Sequence, residues 1–79
     1  MLMLKIISPE KIVFNGEVEN VTVPGTLGSF EVLNDHAPII SSLEKGHVIY
    51  TVNGEKQELE IIGGFVEVKR NEISLCVEV

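Results

Sequence analysis

Apolar residues recur at every second position along most of the chain, the spacing of half-buried β-strands rather than of amphipathic helices. The alternation is cleanest at the end, where Ile73, Leu75, Val77 and Val79 alternate with Ser74, Cys76 and Glu78. Working forward from the start, residues 2–7 predict a first strand, broken by Ser8-Pro9-Glu10. Residues 11–14 predict a second short strand, closed by Asn15-Gly16, a pair that tolerates positive φ. Val21 and Val23 then alternate with Asn20 and Thr22, while Val18 is out of phase and predicts a bulge or two short strands. Pro24-Gly25-Thr26-Leu27-Gly28 reads as a loop, residues 30–33 as a strand, and Asn34-Asp35-His36-Ala37-Pro38 as a turn. Residues 39–43 read as the next strand, ended by Gly46.

The second half continues the pattern. Val48, Tyr50 and Val52 alternate with His47, Ile49 and Thr51, and Asn53-Gly54 is a hairpin signal. Residues 58–62 return from that hairpin, and Gly63-Gly64 predicts a sharp bend or a close backbone approach. Residues 65–68 pair with the last strand through a turn at Arg70-Asn71-Glu72. The count is nine or ten short strands, with no helix of three turns, no repeat and no linker. A single small sheet would leave one apolar face in water, so the expected fold is all-β, a two-layer β-sandwich or flattened barrel, over residues 1–79 as one domain. Val32, Val66 and Val68 are expected in its core.

Charge narrows the partners. Twelve Asp and Glu against six Lys and Arg give a net charge of −6, and the only adjacent basic pair, Lys69-Arg70, falls at a turn. Such a chain is repelled by phosphate backbones, which argues against nucleic-acid binding. The single cysteine, Cys76, excludes an intramolecular disulfide framework and reads as a buried, inert thiol. No apolar run approaches the roughly 20 residues of a bilayer-spanning helix. The expectation is a reducing, soluble compartment, with membrane association only through another protein.

Catalytic chemistry finds little to work with. The candidates are His36, His47 and Asp35, and Asp35-His36 is a lone dipeptide within a turn. Two His ten residues apart, one Cys and scattered Glu lack the spacing of a metal site, so no metal or cofactor is expected. Gly25-Thr26-Leu27-Gly28 is followed by Ser29-Phe30 and a strand, not by the Gly-Lys-Ser/Thr and helix of a phosphate loop. Glu55, Glu58 and Glu60 make an acidic hairpin, read either as a solvated face or as a patch for a basic partner. The residues alone thus describe a small acidic β interaction module.

The stretch from Val23 to Gly46, with its Pro24-Gly25 loop, Gly28, a short apolar strand, His36-Ala37-Pro38 and Leu43-Glu44-Lys45-Gly46, resembles the epsilon subunit family of F-type ATP synthases. The likeness runs along the whole chain, through Ser8-Pro9-Glu10, Phe14-Asn15-Gly16 and Ile62-Gly63-Gly64-Phe65-Val66-Glu67-Val68. Where the family often has Pro-Gly before the His, this chain has Asn34-Asp35, which also suits a turn. The resemblance implies a non-catalytic rotor part that grips the gamma subunit and contacts the membrane c-ring, coupling ion flow to ATP synthesis in a remote catalytic head. It implies a peripheral place on the cytoplasmic face of the bacterial inner membrane, within the complex. Carried over residue by residue, the partner-facing end comprises Ser8, Gly28, Ser29, Phe30, His36, Ala37 and Pro38. Ser29 offers a hydroxyl where some relatives have an acid, so no strong salt bridge is expected from that position. Many members carry a helical pair after the sandwich; the short length predicts a form without that inhibitory arm and without bound nucleotide. Two other readings stand beside this one: an adaptor using the acidic hairpin, and a stand-alone enzyme using Asp35 and His36.

Overall fold

Period-two patterning makes strands, and strands with one apolar face must pair and then cover that face. In the computed structural model, which describes residues 1–79, nine strands do so and no helix forms. They are β1 (Leu2–Ile7), β2 (Ile12–Val18), β3 (Asn20–Gly25), β4 (Gly28–Val32), β5 (Ile39–Leu43), β6 (Gly46–Val52), β7 (Glu55–Ile61), β8 (Gly63–Lys69) and β9 (Glu72–Glu78). The hydrogen-bonded order is β2-β1-β9-β8-β5-β3-β6-β7, with β4 on the free side of β3. All pairings are antiparallel except β1 with β9, which join the two ends of the chain in parallel.

This path is one sheet folded in two. β5 and β3 share a single register pair, Gly25 with Leu43, whereas β5 and β8 share five. At that corner the chain passes from one layer to the other, and the Glu44 N–H donates to the Pro24 carbonyl at 2.9 Å. One layer is therefore β2-β1-β9-β8-β5 and the other β4-β3-β6-β7. A least dimension of 18 Å matches two sheets about 10 Å apart plus their outer side chains.

The inner faces meet in a single cluster of 16 buried apolar residues. β1 contributes Leu2, Leu4 and Ile6; β9 contributes Ile73, Leu75 and Val77; Val32, Val66 and Val68 are buried as the pattern predicts. At the open side Phe14 of β2 meets Tyr50 of β6, ring centroids 4.8 Å apart, which brings the two layers together where no hydrogen bonds do. The all-β two-layer fold is therefore the one expected.

Several local expectations are corrected. Asn15-Gly16 is not a turn: β2 runs through it, with Asn15 opposite Lys5 and Gly16 opposite Leu4. A Cβ on Gly16 would stand 3.3 Å from the tip of the Phe14 ring, so the glycine makes room for that ring. The break falls instead at Glu19, between β2 and β3, and this change of strand puts Val18 out of phase. The loop expected at 24–28 shrinks to the two-residue turn Thr26-Leu27, because Pro24 and Gly25 belong to β3 and Gly28 begins β4. Gly46 opens β6 rather than ending β5. Cys76 is half-buried, not in the core: it shares a face of β9 with Ser74, opposite to Ile73, Leu75 and Val77.

The remaining turns follow their residues. Asn53 and Gly54 have φ of 50° and 80°, the pair of positive values that a tight hairpin needs. Gly64 has φ of 149°, and a Cβ there would lie 2.2 Å from the Cys76 carbonyl oxygen. The close backbone approach expected at Gly63-Gly64 is thus between β8 and β9.

Candidate functional site

Gly28, Ser29 and Phe30 lie on β4, directly after the Thr26-Leu27 turn. The inward face of this strand carries Phe30 and Val32, and its outward face Ser29 and Glu31, which are exposed. The hairpin tip is held against β5 twice, by the Thr26 N–H on the Ser42 carbonyl at 3.1 Å and by the Thr26 and Ser42 hydroxyls at 2.9 Å. Leu27 at the tip is fully exposed.

His36 follows Asp35, whose φ of 61° turns the chain after β4. His36 Nδ1 lies 2.7 Å from the Ala37 carbonyl oxygen, and since a carbonyl only accepts, Nδ1 carries the proton. In the neutral ring Nε2 is then left as an acceptor. The Phe30 and His36 rings are 6.5 Å apart. Gly28, Ser29, Phe30 and His36 therefore border one open cleft of about 420 Å³, together with Leu27, Ile39 and Ser41. Ala37 and Pro38, both exposed, face a neighbouring cleft of about 440 Å³ with Asp35, Arg70 and Asn71.

Ser8 is placed apart from these. It is buried, its hydroxyl donates to the Lys11 carbonyl at 3.2 Å, and it lines a separate cleft with Ile7, Pro9, Gly64, Phe65 and Cys76. A cross-strand row runs from Ile7 through Cys76 and Phe65 to Ser42, the residue that holds Thr26. Ser8 thus stands at the hairpin's end of the sheet but about 14 Å away, three strand spacings.

The clefts are open, and no three His, Cys, Asp or Glu side chains converge on one point. Asp35 and His36 do not act on each other: the Asp35 carboxylate accepts from Asn71 Nδ2 at 3.4 Å, and the His36 Nδ1–H points to Ala37. His47 is exposed across from Glu60. Glu55, Glu58 and Glu60 are all exposed on β7, an edge strand. No helix is long and apolar enough to cross a membrane.

Two features were not singled out from sequence. Leu27 carried a faint signal, an apolar residue at a turn tip between Thr26 and Gly28. Asn71 carried none beyond its turn, because its partner Asp35 lies 36 positions away.

The family pattern described as ATP synthase, delta/epsilon chain, beta-sandwich domain matches residues 1–79. The chain is 43% identical over 75 residues to the ATP synthase epsilon chain of Desulfitobacterium hafniense, covering 95% of this chain and 57% of that one. It is 44% identical over 78 residues to the ATP synthase epsilon chain of Leptospira interrogans, covering 98% and 61%. It therefore spans about three fifths of the length of these relatives. Among solved structures, a chain of the Euglena gracilis mitochondrial ATP synthase (OSCP, F1 and c-ring) superposes with a TM-score of 0.90 at 22% identity, over 96% of this chain and 49% of that one. A chain of the Tetrahymena thermophila mitochondrial ATP synthase central stalk and c-ring gives 0.84 at 18% identity, over 99% and 63%. At these identities the two structures establish the shared fold.

Proposed function

The chain belongs to the ATP synthase delta/epsilon family through that family's β-sandwich domain, and from this premise we propose that it is a central-stalk subunit of an F-type ATP synthase. In this role it links the gamma subunit to the membrane c-ring and turns with both. The observation that carries the reading is the match of the family pattern over all 79 residues. The names of the relatives and the c-ring-containing assemblies that share the fold support it.

The physical role is mechanical. Sixteen apolar residues packed between two hydrogen-bonded layers make a block of low compressibility, suited to passing torque from one partner to another. Ion flow turns the ring, and phosphoryl chemistry takes place in the remote head, so the subunit is accessory rather than catalytic. Gly28, Ser29, Phe30, His36, Ala37 and Pro38 form the end that meets the c-ring, while Ser8, buried and three strands away, shapes a separate cleft at that end of the sheet. The Ser29 hydroxyl and His36 Nε2 supply hydrogen bonds there, and Leu27 supplies apolar contact. The working place is the cytoplasmic face of the bacterial inner membrane, reached through the complex.

A tagged copy of the chain, pulled down from a native membrane extract and analysed by mass spectrometry, is expected to recover gamma, the c-ring subunit and the head. Substitutions at Ser29 or His36 are expected to uncouple ATP hydrolysis from ion pumping. Recovery of none of those subunits refutes the proposal. So does a turnover by the purified chain alone that His36→Ala abolishes.

A further inference from the structure

The segment between β4 and β5 joins no strand pair, so something else must hold it in one shape. A side chain reaches it from the opposite end of the sequence. The Asp35 backbone N–H donates to Asn71 Oδ1 at 2.6 Å, and Asn71 Nδ2 donates back to Asp35 Oδ1 at 3.4 Å. Asn71 itself is anchored. It sits in the β8–β9 turn, after Arg70 with φ of 53°, and its carbonyl accepts from the Met3 N–H at 2.8 Å. Asp35 lies at φ of 61°, a region that a non-glycine residue occupies only at a cost. The bond from its own N–H to Asn71 offsets that cost in the geometry that turns the chain towards His36.

We propose that Asn71 is the positioning residue of the His36-Ala37-Pro38 loop: its carboxamide clamps Asp35 and so fixes where those three residues are presented. The inference rests on the reading above that this loop contacts the c-ring, and it adds a control point on another hairpin. The chemistry calls for a carboxamide. Position 71 must accept from an N–H and donate to a carboxylate at once. Alanine does neither, and aspartate would set two carboxylates face to face.

The test uses Asn71→Ala, Asn71→Asp and the exchanged pair Asp35→Asn with Asn71→Asp, which keeps one amide and one carboxylate but swaps their places. Amide hydrogen exchange is followed by NMR in the ¹⁵N-labelled chain, and affinity is measured for an isolated c-ring bearing gamma. Asn71→Ala removes the acceptor and is expected to speed exchange at Asp35 by about five- to tenfold, the loss of one hydrogen bond. Asn71→Asp keeps an acceptor oxygen for the Asp35 N–H but loses the Nδ2 donor and sets two carboxylates together, and is expected to speed it by less, while in both the Val66 and Leu75 amides stay unchanged. Affinity for the ring is expected to fall about fivefold in the same variants. The exchanged pair is expected to restore both readouts, which a merely structural loss at position 71 would not do. Wild-type exchange at Asp35 in Asn71→Ala, or no recovery in the exchanged pair, overturns the clamp. If His36→Ala weakens ring binding while the Asn71 variants do not, the clamp is overturned and the ring-contact reading stands. If exchange responds as stated but neither His36→Ala nor the Asn71 variants alter ring affinity, the clamp stands and the ring-contact reading fails.

Discussion

Gly64→Ala is expected to be among the most damaging single-methyl additions to this chain. The Cβ would be placed 2.2 Å from the Cys76 carbonyl oxygen and 2.8 Å from Val77 Cα, both backbone atoms that cannot swing aside. To relieve the contact, β8 and β9 must part by roughly 1 Å, since non-bonded heavy atoms settle at about 3.5 Å or a little less. The parting falls on the Gly64–Val77 and Gly63–Glu78 register pairs, next to the Ile62 N–H to Glu78 carbonyl bond of 2.7 Å. Losing two such bonds costs about 2 kcal/mol net. Holding alanine at φ of 149° adds about 1–3 kcal/mol of backbone strain, for a total of roughly 3–5 kcal/mol. A domain of this size has only about 4–12 kcal/mol in all. Gly54→Ala is the control. Its φ is 80° and nothing lies within 4 Å of the added atom, so only the left-handed backbone cost of about 1–2 kcal/mol applies. Urea denaturation followed by far-ultraviolet circular dichroism at 25 °C measures both. If Gly64→Ala costs less than about 1 kcal/mol, or no more than Gly54→Ala, the close approach of β8 to β9 is not what the geometry says, and the reasoning fails.

Two further outcomes are expected. Thr26→Val keeps the shape of the side chain but removes its 2.9 Å hydroxyl contact with Ser42; a double-mutant cycle with Ser42→Ala should give a coupling of about 0.5–1 kcal/mol in thermal melts, and additive losses would show that the two hydroxyls do not hold the hairpin. Replacing Glu55, Glu58 and Glu60 together by Gln should leave co-purification with gamma and the c-ring unchanged, since a row of exposed charges on an edge strand contributes little to a specific contact; loss of the partners, with a steep salt dependence in the parent chain, would favour the adaptor reading.

Local signals in the sequence carried far. Alternation of apolar and polar residues places Leu75 inward and Ser74 outward whatever the neighbouring strand, because side-chain direction in a strand depends only on parity. Asn53-Gly54 makes its hairpin because positive φ at two successive positions is a property of those two residues. The same local logic misread Asn15-Gly16. There the pairing of β1 with β2 and the space needed by the Phe14 ring overrode a turn preference worth little by itself. It also misread Cys76, because a moderately apolar residue at an outward position is decided by parity rather than by its own chemistry.

Of the candidate site, the sequence alone determined the residue types and two chain reversals beside them, one ahead of the strand that holds Phe30 and one at His36-Ala37-Pro38 before β5. Tertiary structure alone decided that the turn before Gly28 is only two residues long, that His36 shares a cleft with Gly28, Ser29 and Phe30, that Ser8 stands three strands away, that β1 pairs with β9 in parallel, and that Asn71 reaches Asp35. The reason is separation along the chain. Periodicity and turn chemistry act over a few residues, whereas the order of strands follows from the best burial of all 16 core side chains at once, and contacts between residues 36 positions apart exist only after that order is set.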